Sequence, residues 1–334
     1  MSEISNEMNL IELLPNEILD KILNNRSISY EDLCRISCLS KRFNQIINLN
    51  KELWKNKFIQ FWPKVCPKDS NIDWQRLCAD RHIIGQHLRR RVSQLSETHY
   101  LDEELSNDSF QCFLDYSDYK LYTNLPKILI NLFQINELEI MINDGSDDKN
   151  LTVKYYALKV LRFLRHESLK HIWIEFIESN SNDLFYGSLL ISEWFQNKSL
   201  NEEHYRKQIH LISQLTIDEI AVSHPSNAIL KQNSGHCLSD SEANQLIESK
   251  WSLKDCKQIL FCMNEVLFNQ LKFDSNDDDF YDMKNSFMDK VIDRRLGIPI
   301  TYCILYQTIA AKLGVKTFAV NFPHHFLLKW KQFE

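Results

Sequence analysis

Glycine and proline are scarce in this chain of 334 residues, which contains only 6 glycines and 7 prolines. Sandwiches, propellers and barrels need glycine at turns and bulges where φ is positive, so these fold classes are disfavoured. Each glycine also stands alone in the sequence, and no GxGxxG or GxxxxGK phosphate-binding loop can be written. The scarcity therefore favours a mainly helical chain without a nucleotide-binding loop.

Features of secreted and membrane proteins are also missing. The N-terminal sequence MSEISNEMNL lacks the basic and apolar regions of a signal peptide, and no apolar run approaches the roughly 18 residues that span a membrane. The nine cysteines are odd in number and include no CxxC pair. We therefore expect a reducing compartment, the cytoplasm, the nucleus or both, with no membrane partner.

The charge balance excludes a strongly basic protein, because 39 Lys and Arg oppose 45 Asp and Glu. The main basic concentration is Arg89–Arg91 with Arg76 and Arg81 nearby, and we interpret it as a solvated helix face rather than a nucleic-acid site. The acidic loop at 274–279 has part of the EF-hand spacing but lacks its glycine and its final glutamate. We predict no metal and no cofactor.

The first sixty residues predict short helices with a surplus of apolar surface. Pro15 suits a first helical turn, where its missing N–H would be unpaired anyway. Ile18 with Ile22, and Leu19 with Leu23, form i,i+4 pairs. The resulting apolar stripe is too wide for so small a unit to bury alone. A partner surface is therefore predicted.

Helical signals continue along the chain. Ser29 and Asp32 resemble a capping box, and Ser40 can cap the next helix. Residues 74–195 read as helices throughout, and residues 223–241 read as a polar loop. The sequence has no fixed-period repeat of the kind that would indicate a solenoid.

The last segment predicts a buried helix followed by two strands. The helix begins at Pro299 and ends before Gly314, as expected for proline at the first helical position and glycine just past the end. Lys312 is its only charge, so we expect burial on most sides. Residues 316–322 and 325–330 predict the strands.

Two residues are candidates for nucleophilic catalysis, Cys303 and His325. A Cys–His enzyme places its thiol at a helix N-terminus, which lowers the thiol pKa, and an imidazole on a neighbouring strand. Cys303, however, lies a full turn inside its helix, where the alternative is a small core residue. For His325 the alternative is a core or rim histidine. The residues leave both alternatives open.

The N-terminal pattern resembles an F-box over residues 9–62. The resemblance rests on the LPNEIL sequence at 14–19, the segments 32–36 and 40–44, and the Leu53–Trp54 pair. It implies docking on the Skp-type adaptor of a cullin-based ubiquitin ligase, while the rest of the chain recruits an unidentified protein target. The residues expected to contact the adaptor are Leu14, Pro15, Ile18, Ile22 and Leu33.

Residues 183–334 are similar to the transglutaminase-like domain of the bacterial SirB type, chiefly at 294–300 and 325–328. Active members of that family place the nucleophilic cysteine after a glycine at the start of the central helix, where this chain has Pro299. His325 matches the catalytic histidine, and the orienting acid would lie on a strand beyond Glu334. The resemblance therefore implies an incomplete, C-terminally truncated and non-catalytic domain.

Together these features predict a mainly α chain. F-box helices come first, a helical linker region at 74–180 follows, and a partial α+β transglutaminase-like domain ends in a β-hairpin. The predicted function is substrate recognition in a Skp-cullin-F-box E3 ubiquitin ligase, for degradation or signalling. The alternative is a transglutaminase- or protease-like hydrolase that uses Cys303 and His325.

Overall fold

The chain is mostly helical, as its sequence predicts. A computed structural model describes residues 14–62, 72–102, 105–116, 125–143, 151–179, 181, 183–232, 237–323 and 325–330. The sequence also predicts a linker of about ten residues after Pro63 and Pro67, and a polar loop at 143–148, and both segments fall mainly outside the described residues. The chain divides into two units, residues 1–165 and 166–334. The domain boundaries expected near residues 62 and 183 stay predictions.

Four short helices open the first unit. They are α1 (Asn16–Leu23), α2 (Tyr30–Ser37), α3 (Lys41–Leu49) and α4 (Lys51–Phe61). The predicted capping box is confirmed, because Ser29 Oγ accepts the Asp32 N–H at 3.0 Å and Asp32 Oδ2 accepts the Ser29 N–H at 3.0 Å. Ser40 caps α3 through the Phe43 N–H, also as predicted.

Longer helices complete the first unit. They are α5 (Trp74–Thr98), a 3₁₀ helix (Asn107–Phe113), α6 (Lys127–Asn143) and α7 (Leu151–Glu178), which continues into the second unit. The core formed by Leu19 and Phe58 of the short helices extends to Ile84 of α5 and Phe133 of α6. Helices α1–α4 therefore share one core with α5 and α6.

Arg81 of α5 differs from its prediction. Instead of lying on a solvated face, its side chain is 1% exposed and is held between the rings of Trp62 and Phe133, with Cζ 5.2 and 5.5 Å from the ring centroids. Its Nη2 contacts Glu137 Oε2 at 2.8 Å. Burial lowers the pKa of Arg81, and the Glu137 carboxylate opposes that shift. The ion pair with Glu137 and the two ring contacts thus offset part of the free-energy cost of burying the Arg81 charge.

The second unit contains most of the remaining helices. They are α8 (Leu184–Gln196), α9 (Glu202–Ser223), α10 (Ala228–Gln232), α11 (Asp240–Asn244), α12 (Leu253–Asn264), α13 (Met288–Arg294) and α14 (Pro299–Lys312). The prediction of one polar loop at 223–241 is wrong in part, since α10 lies within it. The start of α11 also falls there, where Ser239 and Glu242 form a second capping box.

Two small sheets accompany these helices. Strands β1 (Asp274–Ser275) and β2 (Leu296–Gly297) pair in parallel. Strands β3 (Thr317–Phe322) and β4 (His325–Trp330) form an antiparallel hairpin, which confirms the two predicted strands. A π-helix (Glu265–Gln270) extends α12 toward the first sheet.

Helix α14 is the central element of the second unit. It begins at Pro299 and is followed by Gly314 with φ of +76°, as the sequence predicts. Its Leu305, Ile309 and Ala310 are in the main core, and it packs against α9 and the hairpin. Lys312 is also buried, and its Nζ lies 2.6 Å from Asp240 Oδ1.

Candidate functional site

Helix α1 has apolar side chains on two faces. Leu19 and Leu23 lie inside the first unit, whereas Ile18 and Ile22 point outward and are 42% and 43% exposed. The helix starts at a fixed place, because Pro15 O accepts the Ile18 and Leu19 N–H groups. The sequence correctly indicated that this stripe is wider than the unit buries.

The other predicted adaptor-contact residues occupy different environments. Pro15 is exposed and Leu14 is half-buried against the core. Arg42 Nη2 anchors this segment by donating to Leu14 O at 2.6 Å and to Asn16 Oδ1 at 2.9 Å. Leu14, Pro15 and Ile18 thus lie at or next to the start of α1, and Ile22 lies in its last turn.

Leu33 requires a correction. Its side chain is completely buried in α2 and belongs to the same core as Leu19 and Phe43, so it does not lie on the surface with Ile18 and Ile22. The physical reason is the direction of its helix: the side chains around Leu33 at Cys34 and Arg35 are the ones that α2 exposes. Leu33 therefore packs within the first unit rather than presenting a contact surface.

The second candidate site surrounds the start of α14. Pro299, at the position expected for a nucleophile, is exposed and occupies the first turn. Just before it, the Ile298 N–H donates to Thr301 Oγ1 at 3.1 Å. A Cβ on Gly297 would come within 2.9 Å of that same oxygen, so this turn is tightly packed.

Cys303 lies deeper in the same helix. It is buried, and the polar contact described for its Sγ is to Phe326 O at 3.9 Å. Burial raises the pKa of the Cys303 thiol, which is the opposite of the shift that activates a nucleophile.

The hairpin separates His325 from Cys303. Thr317 pairs with Trp330, Ala319 with Leu328 and Asn321 with Phe326, so these pairs share one face, and Phe326, Leu328 and Trp330 are partly buried. His325 pairs with Phe322 on the opposite face, where it is exposed. The structure thus does not bring the two candidate catalytic residues together.

A cavity of about 380 Å³ lies between α14, the π-helix and the inner face of the hairpin. Its walls include Leu267 and Phe268 of the π-helix, Tyr302 and Tyr306 of α14, and Phe326 and Leu328 of the hairpin. The sequence alone does not reveal this cavity. Alternation in β4 was the available signal, because Phe326, Leu328 and Trp330 recur at every second residue.

Other kinds of site are not found among the described residues. In the part of the chain that the structure describes, no three His, Cys, Asp or Glu side chains cluster as metal ligands. Among the described helices, none combines the length and the apolar character needed to cross a membrane.

Comparison with family models supports both resemblances. Residues 11–60 match the F-box-like family, and residues 233–334 match the transglutaminase-like superfamily. No solved structure matches the chain.

Comparison with individual proteins also finds relatives of this chain. The chain is 31% identical to F-box only protein 21 of Mus musculus and of Homo sapiens over 329 residues, which is 96% of this chain and 48% of each relative. It is also 37% identical over 81 residues to a UPF0162 protein of Xylella fastidiosa, covering 24% of this chain and 27% of the relative. The chain spans about half the length of the F-box relatives. The chain is thus similar to F-box only protein 21 over nearly all of its own length, and it contains one segment that matches the F-box-like family and another that matches the transglutaminase-like superfamily.

Proposed function

We propose that this chain is a substrate-recognition subunit of a Skp-cullin-F-box E3 ubiquitin ligase. Its F-box segment docks on a Skp-type adaptor and through it on a cullin, and the remainder binds a protein target. The observation that carries the proposal is the outward pair Ile18 and Ile22 on a helix whose other apolar face is already buried. The F-box-like match at residues 11–60 supports the same reading.

The energetics of this surface suit a protein partner. Burying a large aliphatic side chain completely contributes about 1.5–3 kcal/mol, so covering the exposed parts of Ile18 and Ile22 contributes about 1 kcal/mol each. Rigid placement of α1 by Pro15 and Arg42 lowers the entropy lost on binding. The ligase then gains rate by holding the target near the ubiquitin-charged enzyme.

The transglutaminase-like segment acts in this proposal without catalysing a reaction. Three observations support that role: Pro299 stands where a nucleophile is expected, Cys303 is buried with a raised pKa, and His325 lies on the opposite hairpin face. They disfavour the alternative of a Cys/His-dependent hydrolase. The proposed setting is the cytoplasm, the nucleus or both, with no cofactor, membrane or nucleic-acid partner.

A binding measurement with a purified Skp-type adaptor tests the proposal. The variant Ile18→Asp/Ile22→Asp should weaken binding at least 10-fold, because it places two carboxylates in the apolar contact. Ile128→Asp is the matched control, since Ile128 is 85% exposed on α6, outside the F-box segment, and should not change affinity. Unchanged adaptor affinity in the double variant would contradict the proposal.

Folding must be checked in the same variants. Because more than half of each side chain is already covered, replacing Ile18 and Ile22 should lower the free energy of unfolding by about 2 kcal/mol in total, and the variant should remain folded. Deleting the first 60 residues would be a poorer test, since the deletion removes the core that Ile84 and Phe133 share with the F-box helices. Loss of binding in a double variant that remains folded thus identifies a contact surface rather than a folding defect.

A further inference from the structure

The cavity beside α14 contains two hydrogen-bonding atoms without partners. Thr317 is 2% exposed, and neither its Oγ1 nor the buried Trp330 Nε1 has a hydrogen-bond partner among the described residues. Both residues line the cavity. Buried polar side-chain atoms are nearly always hydrogen-bonded, so two unpartnered atoms beside one cavity indicate a ligand that would bond to them.

The residues that carry these two atoms are neighbours across the hairpin. Thr317 and Trp330 are directly paired across β3 and β4, so their side chains leave the same face of the hairpin. Side chains paired in this way have Cβ atoms roughly 4.5–5.5 Å apart. One small group placed between them can therefore reach both.

The remaining polar groups of the cavity are already engaged. Tyr302 donates its hydroxyl hydrogen bond to Asp274 O and lies near Arg295 O, and Tyr306 Oη contacts Asn264 Oδ1 at 3.0 Å. Burial raises the pKa of both tyrosines to about 12, so they stay neutral. The free donors are thus the Trp330 N–H and the Thr317 hydroxyl.

The charge of the cavity limits its occupant. The described residues that line it are aliphatic, aromatic, threonine and cysteine side chains, and none of these is a charged type. An ionised ligand would be buried without a counter-ion, which is strongly unfavourable. The fit is to a neutral molecule that is mostly apolar and has one hydrogen-bond acceptor.

The size and construction of the cavity suit a small molecule. About 380 Å³ lies within the range of small-molecule sites, which are mostly apolar with a few placed polar groups. One wall, with Leu267 and Phe268, is a π-helix, an irregularity that is frequent at functional sites.

We propose that this cavity binds a neutral apolar small molecule with a carbonyl group, such as a ketone, ester or amide. The carbonyl oxygen accepts hydrogen bonds from Trp330 Nε1 and Thr317 Oγ1, and the apolar part lies against Tyr302, Tyr306 and Phe326. The site consists of residues of the second unit, and the proposal does not depend on adaptor binding. Water filling and an empty apolar space are the competing outcomes.

Titration of the full chain with 2-octanone tests this site. In a spectrum of tryptophan indole N–H groups, the resonance that disappears in Trp330→Phe belongs to Trp330. We expect 2-octanone to shift that resonance saturably, because its carbonyl becomes the partner of Nε1. Octanoate, which has a similar chain and a negative charge, should bind at least 10-fold more weakly.

Variants separate a specific site from general apolar binding. Calorimetric titration of Thr317→Val, which removes the hydroxyl and keeps the shape, should show about 3- to 10-fold weaker binding of 2-octanone, as expected for one hydrogen bond. Phe318→Leu is the control, because Phe318 lies on the opposite hairpin face and its replacement should leave affinity unchanged.

Three results would overturn the proposal. They are an unshifted Trp330 resonance at the solubility limit of 2-octanone, equal affinity for octanoate, and unchanged affinity in Thr317→Val. The first result would assign the cavity to water or to empty space. If Trp330→Phe fails to fold, calorimetric titration of the wild-type chain with 2-octanone and octanoate still decides the point, because no saturable binding of 2-octanone, or equal affinity for octanoate, contradicts the proposal.

Discussion

Helices α1 and α14 use apolar side chains in opposite ways. Helix α1 buries one face and leaves Ile18 and Ile22 in solvent, whereas α14 is enclosed by neighbouring helices and the hairpin and borders a cavity. An exposed apolar surface suits a protein partner, while an enclosed apolar space suits a small molecule. The two helices thus differ in where their apolar side chains lie, and we propose a different kind of binding for each.

Buried polar groups sharpen the same contrast. In the first unit, the Glu137 carboxylate forms ion pairs with both Arg81 and Arg89, and its Oε1 lies 2.5 Å from Arg89 Nε. In the second unit, Thr317 and Trp330 keep unpartnered atoms beside the cavity. A paired buried charge fixes the packing of a scaffold, and an unpaired hydrogen-bonding group marks a place where something else can bind.

The largest expected effect is on the charge pair of the first unit. Arg81→Met should lower the free energy of unfolding by about 3 kcal/mol, because it leaves the buried Glu137 carboxylate with Arg89 as its remaining described cation partner. Chemical denaturation measures this loss. Arg90→Met, at an exposed position of the same helix, should change stability by less than about 0.5 kcal/mol.

A second variant decides whether charge is the cause. Arg81→Met/Glu137→Leu removes both charges and should recover a large part of the lost stability, because no uncompensated carboxylate remains. If the double variant were less stable than Arg81→Met alone, packing around the guanidinium rather than charge pairing would be the reason for its burial.

The end of α14 offers a smaller effect in the second unit. Gly314→Ala should lower the free energy of unfolding by about 2 kcal/mol, since a Cβ is unfavourable at φ of +76° and would lie 2.7 Å from Trp251 Nε1. That indole donates to Leu313 O, and the clash would disturb this bond.

Lys272→Gly is the control, and its expected change in the free energy of unfolding has the opposite sign. Lys272 is exposed and has φ of +60°, so glycine there should raise stability by up to about 1 kcal/mol. Chemical denaturation compares both variants with the wild-type chain. Equal stability of Gly314→Ala and the wild type would show that the helix end is not held as the structure describes.

The smallest expected change concerns reactivity rather than stability. Because burial raises its pKa, Cys303 should react with iodoacetamide at pH 7.5 about 10-fold more slowly than the exposed Cys38, and its rate should rise as pH increases and the thiolate forms. Mass spectrometry of the labelled peptides measures both rates. Faster labelling of Cys303 than of Cys38 would instead favour the hydrolase alternative. The control is the unfolded chain, in which the two cysteines should be labelled at equal rates.

Local signals predicted much of the fold. The capping box of Ser29 and Asp32, the Pro299 start of α14 and the Gly314 end are each set by neighbours within a few residues, and the structure confirms them. The hairpin strands were also predicted, because apolar and β-favouring residues cluster on each side of Pro323. These features depend on short-range chemistry that a single sequence displays.

The candidate sites were predictable only in part. The excess apolar stripe of α1 was evident from Ile18 and Ile22, but Leu33 was assigned to the same surface and lies in the core instead. Periodicity shows that a helix has an apolar face, and it does not show which neighbour covers that face.

Residues a few positions apart in the sequence fix where the helices of the first sixty residues and α14 begin. They also fix which segment forms the hairpin. Tertiary structure alone decided that Arg81 is buried between two rings, that His325 and Cys303 lie apart, and that Thr317 and Trp330 meet at a cavity. The physical reason is range. Caps and turns are fixed by residues a few positions apart, whereas burial, pairing and cavities depend on side chains that folding brings together from distant parts of the chain.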